Sequence, residues 1–294
     1  ILNRYIIMTT RKNLTVASSL FLVLSAAPSS ALVVMISDLV PAGSALEDFI
    51  TNNFSNVTEI RHADYANSSS AGSLNALNGT GTHAGNGAAD VFIIGRSLSS
   101  GGYDAGDADG WNSVNIPVVN LTSYTARDAG NRMGWHLNST STGTLIAGNE
   151  TTVTAAGAAI LGVAAGTYDF LIAGAPAADS FNGLAAGQTG FGGGDILATV
   201  GGDTLAAFWA AGTAPGGANS GVATFPANRL LFNIDNDPNA GNNGINDVNN
   251  MSTAGAAALV SAIDFATPLT SVPEPSTSLL GLLALGFAAG RRRR

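Results

Sequence analysis

The chain contains no cysteine, which removes disulfides, thiolate metal sites and cysteine nucleophiles from consideration in any compartment. It is also poor in charge. Only 11% of its residues are Asp, Glu, Lys or Arg, and Lys12 is its one lysine. This scarcity does not signal disorder, because 46% hydrophobic residues is ample material for a core. Without cross-links, a domain of this size must be held by that core.

Basic charge is scarce where a body would be. Of the 12 basic residues, Arg291 to Arg294 form a terminal cluster, and Arg4, Arg11 and Lys12 precede the first apolar run. Arg61, Arg96, Arg127, Arg132 and Arg229 are left to face nineteen of the twenty acids, since Glu274 lies in the tail, for about −14. A surface of that sign repels phosphate backbones and anionic lipid, which excludes nucleic acid as a partner. It suits an extracellular protein that stays soluble through acidity.

The two ends read as processing segments. Met8 is the first methionine and the expected start of translation. Arg11 and Lys12 supply a positive region, Leu14 to Ala27 an apolar one, and Ser29-Ser30-Ala31 small residues for cleavage. That order and spacing predict a secretory signal peptide over residues 1–31, read by the secretion machinery and removed by signal peptidase. A membrane anchor is the other reading, and the apolar run is short for it.

The opposite end carries Pro273, Glu274 and Pro275, an apolar run from Leu279 to Ala289, then four arginines. The two prolines force an extended, accessible segment. A helix over residues 277–290 would be about 21 Å long, short of a hydrocarbon core of roughly 30 Å. The arginines would hold its end cytoplasmic. Motif, brief hydrophobic hold and basic stop follow one another as in a removable anchor.

This arrangement over residues 272–294 resembles the PEP-CTERM sorting signal of Gram-negative bacteria. The resemblance implies processing by an exosortase, a membrane protease that cuts near the Pro-Glu-Pro motif. It also implies transient anchoring at the inner membrane, then transfer to the cell surface or an extracellular polysaccharide matrix. An ordinary single-span anchor is the alternative.

Between the ends, residues 32–267 read as one α/β domain, with 268–271 as linker. Leu32 to Ser37 is a continuous apolar run, expected as a buried strand, and 43–54 has helical spacing through Leu46, Phe49, Ile50 and Phe54. Strands are expected at 57–61, 90–94 and 116–121, with a glycine-rich helix and loop over 68–87. Farther on, 196–200 and 205–209 flank Gly201-Gly202-Asp203 as a hairpin. A strand over 228–234 and an alanine-rich helix over 253–265 complete the pattern. Strands alternating with crossovers argue for a mostly parallel, flavodoxin-like sheet with helices on both faces and an antiparallel excursion at one edge.

Asp90 to Arg96 followed by an apolar strand, then Arg229-Leu230-Leu231-Phe232 and a final helix, resemble the class I glutamine amidotransferase-like superfamily and its trehalose-utilisation-type relatives. The amidotransferase branch uses a cysteine nucleophile with a histidine partner. This chain has no cysteine, so that chemistry is missing.

Ligands of open α/β sheets bind beyond the carboxyl ends of the strands. Asp38, Arg96, Ser97 and Asn120 are expected there, either converging on a polar ligand or, for Arg96, pairing with Asp38 or capping loop carbonyls. Arg127 and Arg132 follow the fourth strand beside Tyr124 and Trp135. They read as a carbohydrate-binding shelf or as a helix held by its own ion pairs. Asp235, Asp237 and Asn239 alternate as in the opening of a calcium loop. Gly241 falls one place late and Asn246 stands where an EF-hand needs glutamate, so the segment reads as a weak Ca2+ site or a solvated loop. No other cofactor is indicated. His62, His83 and His136 have no ligand spacing, and neither a G-x-S-x-G elbow nor a Walker loop occurs.

These features predict an exported surface or matrix protein whose body is non-catalytic or ligand-binding. Two alternatives stand beside it: a hydrolase or carbohydrate-active enzyme on an amidotransferase-like scaffold, and a calcium-dependent adhesive module.

Overall fold

The structure, a computed structural model, describes residues 32–37, 45–54, 56–61, 89–95, 103–137, 143–144, 150–170, 180–181, 190–234 and 251–267. The stretches expected as signal peptide (1–31), glycine-rich helix and loop (68–87), linker (268–271) and hydrophobic tail lie outside the described residues. Within them, no helix is long and apolar enough to cross a membrane.

The strands are β1 Val33–Ser37, β2 Val57–Arg61, β3 Val91–Ile94, β4 Val118–Asn120, β5 Gly143–Thr144, β6 Thr151–Val153, β7 Gly166–Tyr168, β8 Ser180–Phe181, β9 Asp195–Val200, β10 Asp203–Trp209 and β11 Arg229–Phe232. The helices are α1 Ala45–Asn53, α2 Ala105–Ser113, α3 Ser123–Ala126, α4 Ala155–Leu161 and α5 Thr253–Ala266. Nine strands form one sheet in the order β2-β1-β3-β4-β11-β10-β9-β6-β7, while β5 and β8 pair separately. The first five run parallel, in the 2-1-3-4-5 order of the flavodoxin-like class. The antiparallel excursion at the far edge is built from β10, β9, β6 and β7. The chain therefore builds its antiparallel half between β4 and β11.

Local chemistry explains the elements. Val91, Phe92, Ile93 and Ile94 are β-branched or aromatic and fully buried, as befits a central strand covered on both faces. β9 and β10 join through Gly201 and Gly202, whose φ angles of 59° and 94° suit a two-residue hairpin turn that only glycine enters cheaply. Helices α4 and α5 share one device. Thr154 and Ser252 accept hydrogen bonds from the amides of Gly157 (3.0 Å) and Gly255 (3.1 Å), capping each first turn. The same glycines let the helices abut the backbone carbonyls of Leu197 and Phe170, where a Cβ would collide.

Alternation along the strands divides the core in two. Val91, Ile93, Val119, Leu230 and Phe232 face one cluster, closed by Leu46 and Ile50 of α1, Ile160 of α4, and Leu259 and Ile263 of α5. Phe92, Ile94, Val118, Leu231 and Trp209 face the other, closed by Trp111 of α2 and by Met133, Trp135, Phe191 and Phe225 from loops. Each such apolar side chain contributes about 1.5–3 kcal/mol when fully buried. Helices thus cover both faces, α2 with long loops on the second.

Candidate functional site at the carboxyl end of β4

The register sets Asn120 beside Ile94 and Leu231 at the carboxyl ends of β3, β4 and β11. Asn120 is fully buried, and its amide turns back on the chain. Its Nδ2 donates to Thr125 Oγ1 at 2.6 Å, and its Oδ1 accepts from the Thr122 amide at 3.1 Å. Just past β11, buried Asn233 also holds backbone, its Oδ1 accepting from the Ser123 amide at 3.1 Å. The two asparagines hold the turn between β4 and α3. They support the ledge that follows it.

On that ledge the guanidinium of Arg127 lies 5.0 Å from the centroid of the Tyr124 ring, in cation–π geometry. Burial lowers the Arg127 pKa first and the neighbouring charge of Arg132 lowers it further, while Tyr124 raises it. Arg132 is pinned: its Nη1 donates to Asp104 Oδ2 at 2.7 Å and to the Gly130 carbonyl at 3.1 Å. Behind them His136 is fully buried, 5.8 Å from the Phe191 ring, and burial together with Arg127 pulls its pKa down to about 3. At neutral pH that imidazole carries no charge.

Residues 127–137 form a loop rather than a helix. Trp135 is fully buried, donating from Nε1 to Asn112 Oδ1 at 2.8 Å, so it belongs to the core and not to an exposed shelf. Of the expected site residues, the structure brings Asn120, Arg127 and Arg132 to one end of the sheet. Asp38, Arg96 and Ser97 lie outside the described residues, as do Asp235, Asp237 and Asn239. Among the described residues, no three His, Asp or Glu side chains gather to hold a metal ion.

Sequence reasoning missed Asp104 and Asn233, whose partners lie 28 and 110 positions away. It also missed the role of Arg229, read only as part of a strand over 228–234 and of the Arg229-Leu230-Leu231-Phe232 resemblance. Arg229 is fully buried at the opposite, entry end of β11. Its Nη1 meets the carbonyls of Ile116, Ala227 and Asn228, and its Nη2 those of Trp111, Asn112 and Val114, at 2.8–3.3 Å. Three of these carbonyls end α2, where a cation is favoured. Burial draws its pKa down to about 9, which still leaves it charged at neutral pH. A lone arginine opening an apolar run was the available signal.

Comparison with known proteins decides the tail. Residues 271–294 match the PEP-CTERM protein-sorting motif. The PEP-CTERM match supports an exported protein sorted by an exosortase, and it includes Pro273, Glu274 and Pro275. No curated protein matches the chain. Among solved structures, a Thermoplasma acidophilum protein named for one component of GMP synthase is 8% identical, with 80% of this chain and 94% of that one covered at a TM-score of 0.40. A cytoplasmic protein of Salmonella typhimurium is 9% identical, with 80% and 98% covered at 0.45. Superposition at that level carries no argument about this chain, whose fold class rests on its own strand order.

Proposed function

We propose that this chain is a PEP-CTERM surface protein whose body, residues 32–267, works by binding in the cell envelope or its polysaccharide matrix. In this reading signal peptidase removes residues 1–31, residues 268–271 are a linker, and exosortase removes the tail after transient anchoring at the inner membrane. The sorting motif at 271–294 carries the export half of the proposal. The non-catalytic half draws support from how the polar groups beside β4 are engaged. Asn120 and Asn233 hold backbone, Arg132 is paired with Asp104, and His136 is neutral and closed to solvent. Acid–base catalysis needs a group that titrates near working pH within reach of substrate, and these four side chains offer none.

Intact mass spectrometry of protein recovered from the cell surface or medium tests the reading. The expected mass lacks both residues 1–31 and the four terminal arginines. Replacing Pro273, Glu274 and Pro275 with alanine lets helix propagate through the motif and is expected to leave a membrane-held precursor. Released protein that still carries Arg291 to Arg294 contradicts the proposal.

A further inference from the structure

Arg127 is a guanidinium that no described residue neutralises. Its side chain is half-buried, its Nε is closed to solvent without an acceptor, and among the described residues no carboxylate pairs with it. Two other arginines differ plainly, because Arg132 has Asp104 and Arg229, at the opposite end of the sheet, has six carbonyls. Partial desolvation of an unpaired charge costs stability. Arg132, itself paired with Asp104, adds a like charge nearby on a body that is otherwise strongly acidic. The guanidinium carbon lies 5.0 Å from the Tyr124 ring centroid, and a guanidinium stacked on an aromatic face keeps the in-plane donors of its Nη edge for hydrogen bonds. That edge is a fork matched to a planar oxyanion.

We infer that the Nη edge of Arg127, held on Tyr124, binds an oxyanion of an external ligand, with the carboxylates of an acidic polysaccharide as its source. The binding chemistry stands on the geometry alone. The polysaccharide source rests on the surface reading above.

Calorimetric titration of the solubilised full chain tests it with three probes: polygalacturonate, neutral dextran and sodium sulfate. Polygalacturonate is expected to bind and dextran not to bind. Sulfate is expected to compete only at far higher charge concentration. Arg127→Gln should weaken polygalacturonate binding about tenfold or more, and Arg127→Lys should retain part of it. Thermal unfolding of Arg127→Gln should stay close to the wild type, since among the described residues the side chain makes no ion pair to lose and its desolvation cost offsets the contact with Tyr124; this separates a ligand role from a folding role. Unchanged affinity in Arg127→Gln, equal binding of dextran, or no binding of polygalacturonate overturns the inference. Sulfate displacing the polymer at equal charge concentration overturns the polysaccharide source. A chain that fails the mass test yet loses polygalacturonate binding with Arg127→Gln overturns the surface reading and leaves the site standing.

Discussion

On the face covered by α1, α4 and α5, the sheet meets helices whose backbone groups are paired internally. Contact there is apolar, with Val119, Leu230 and Phe232 against Leu259 and Ile263. On the face covered by α2 and the loops around Met133, Trp135 and Phe225, the covering chain cannot satisfy itself, and buried side chains do it instead. Arg229 takes up carbonyls at the end of α2. Asn112 donates to the carbonyls of Met133 (2.6 Å) and Ser220 (2.8 Å) and accepts from Trp135. The difference teaches that a sheet face roofed by loops needs buried polar groups in proportion to the irregular backbone above it. The candidate site grows on the loop side, where polar side chains are already required.

The largest effect expected from breaking this contrast is at Arg229. Arg229→Met should lose about 3–5 kcal/mol in urea unfolding, because five or six buried carbonyls lose their donor at once. Arg229→Lys should recover only part, since one ammonium cannot span both carbonyl groups. A loss within about 0.5 kcal/mol would mean that water replaces the guanidinium and the contrast between faces is false.

Next in size is the pH response of the loop-covered face. His136 titrates at about 3 when folded, against an ordinary value of 6.5. Above pH 6.5 both folded and unfolded forms are neutral there, and the residue contributes no slope. As pH falls below 6.5 only the unfolded chain gains the proton, so stability is lost progressively until about pH 3. The loss amounts to a few kcal/mol at the acid end. His136→Gln should flatten that part of the stability profile relative to wild type; parallel profiles would place the imidazole in solvent.

The helix-covered face should answer to bulk rather than polarity. Gly157→Ala pushes a methyl into the Leu197 carbonyl and should cost about 1–3 kcal/mol by overpacking, despite alanine's better helix propensity. A gain in melting temperature would show that α4 does not sit against β9 as described.

Much of the helix-covered face was legible in the sequence. β1, β3, β4 and α5 are apolar runs or helical spacings bounded by turn residues, and the β9–β10 hairpin announces itself through Gly201 and Gly202. α2 was not legible, because a segment reading Ala-Gly-Asp-Ala-Asp-Gly-Trp-Asn-Ser has one large apolar residue and no helical stripe. It is helical because Trp111 enters the core and Arg229 meets its carboxyl end. β6 and β7 are three residues each, too short to show a period. At the site, Asn120 and Arg127 were visible as a strand end and an arginine beside a tyrosine. The contacts around them were not, since Asp104 reaches Arg132 and Asn233 reaches the Ser123 amide only through the fold.

Native-state hydrogen exchange on Asn112→Ala tests the account most directly. The amides of Met133 and Trp135, bonded to the carbonyls of Thr125 (3.1 Å) and Ala126 (2.8 Å), report on the loop roof. Losing the Asn112 bonds should cost about 2 kcal/mol locally, lowering protection at those two amides about thirtyfold more than at Leu259 and Ile263 of α5. A uniform fall across both faces, or none at either, would contradict the claim that buried side chains hold the loops in place.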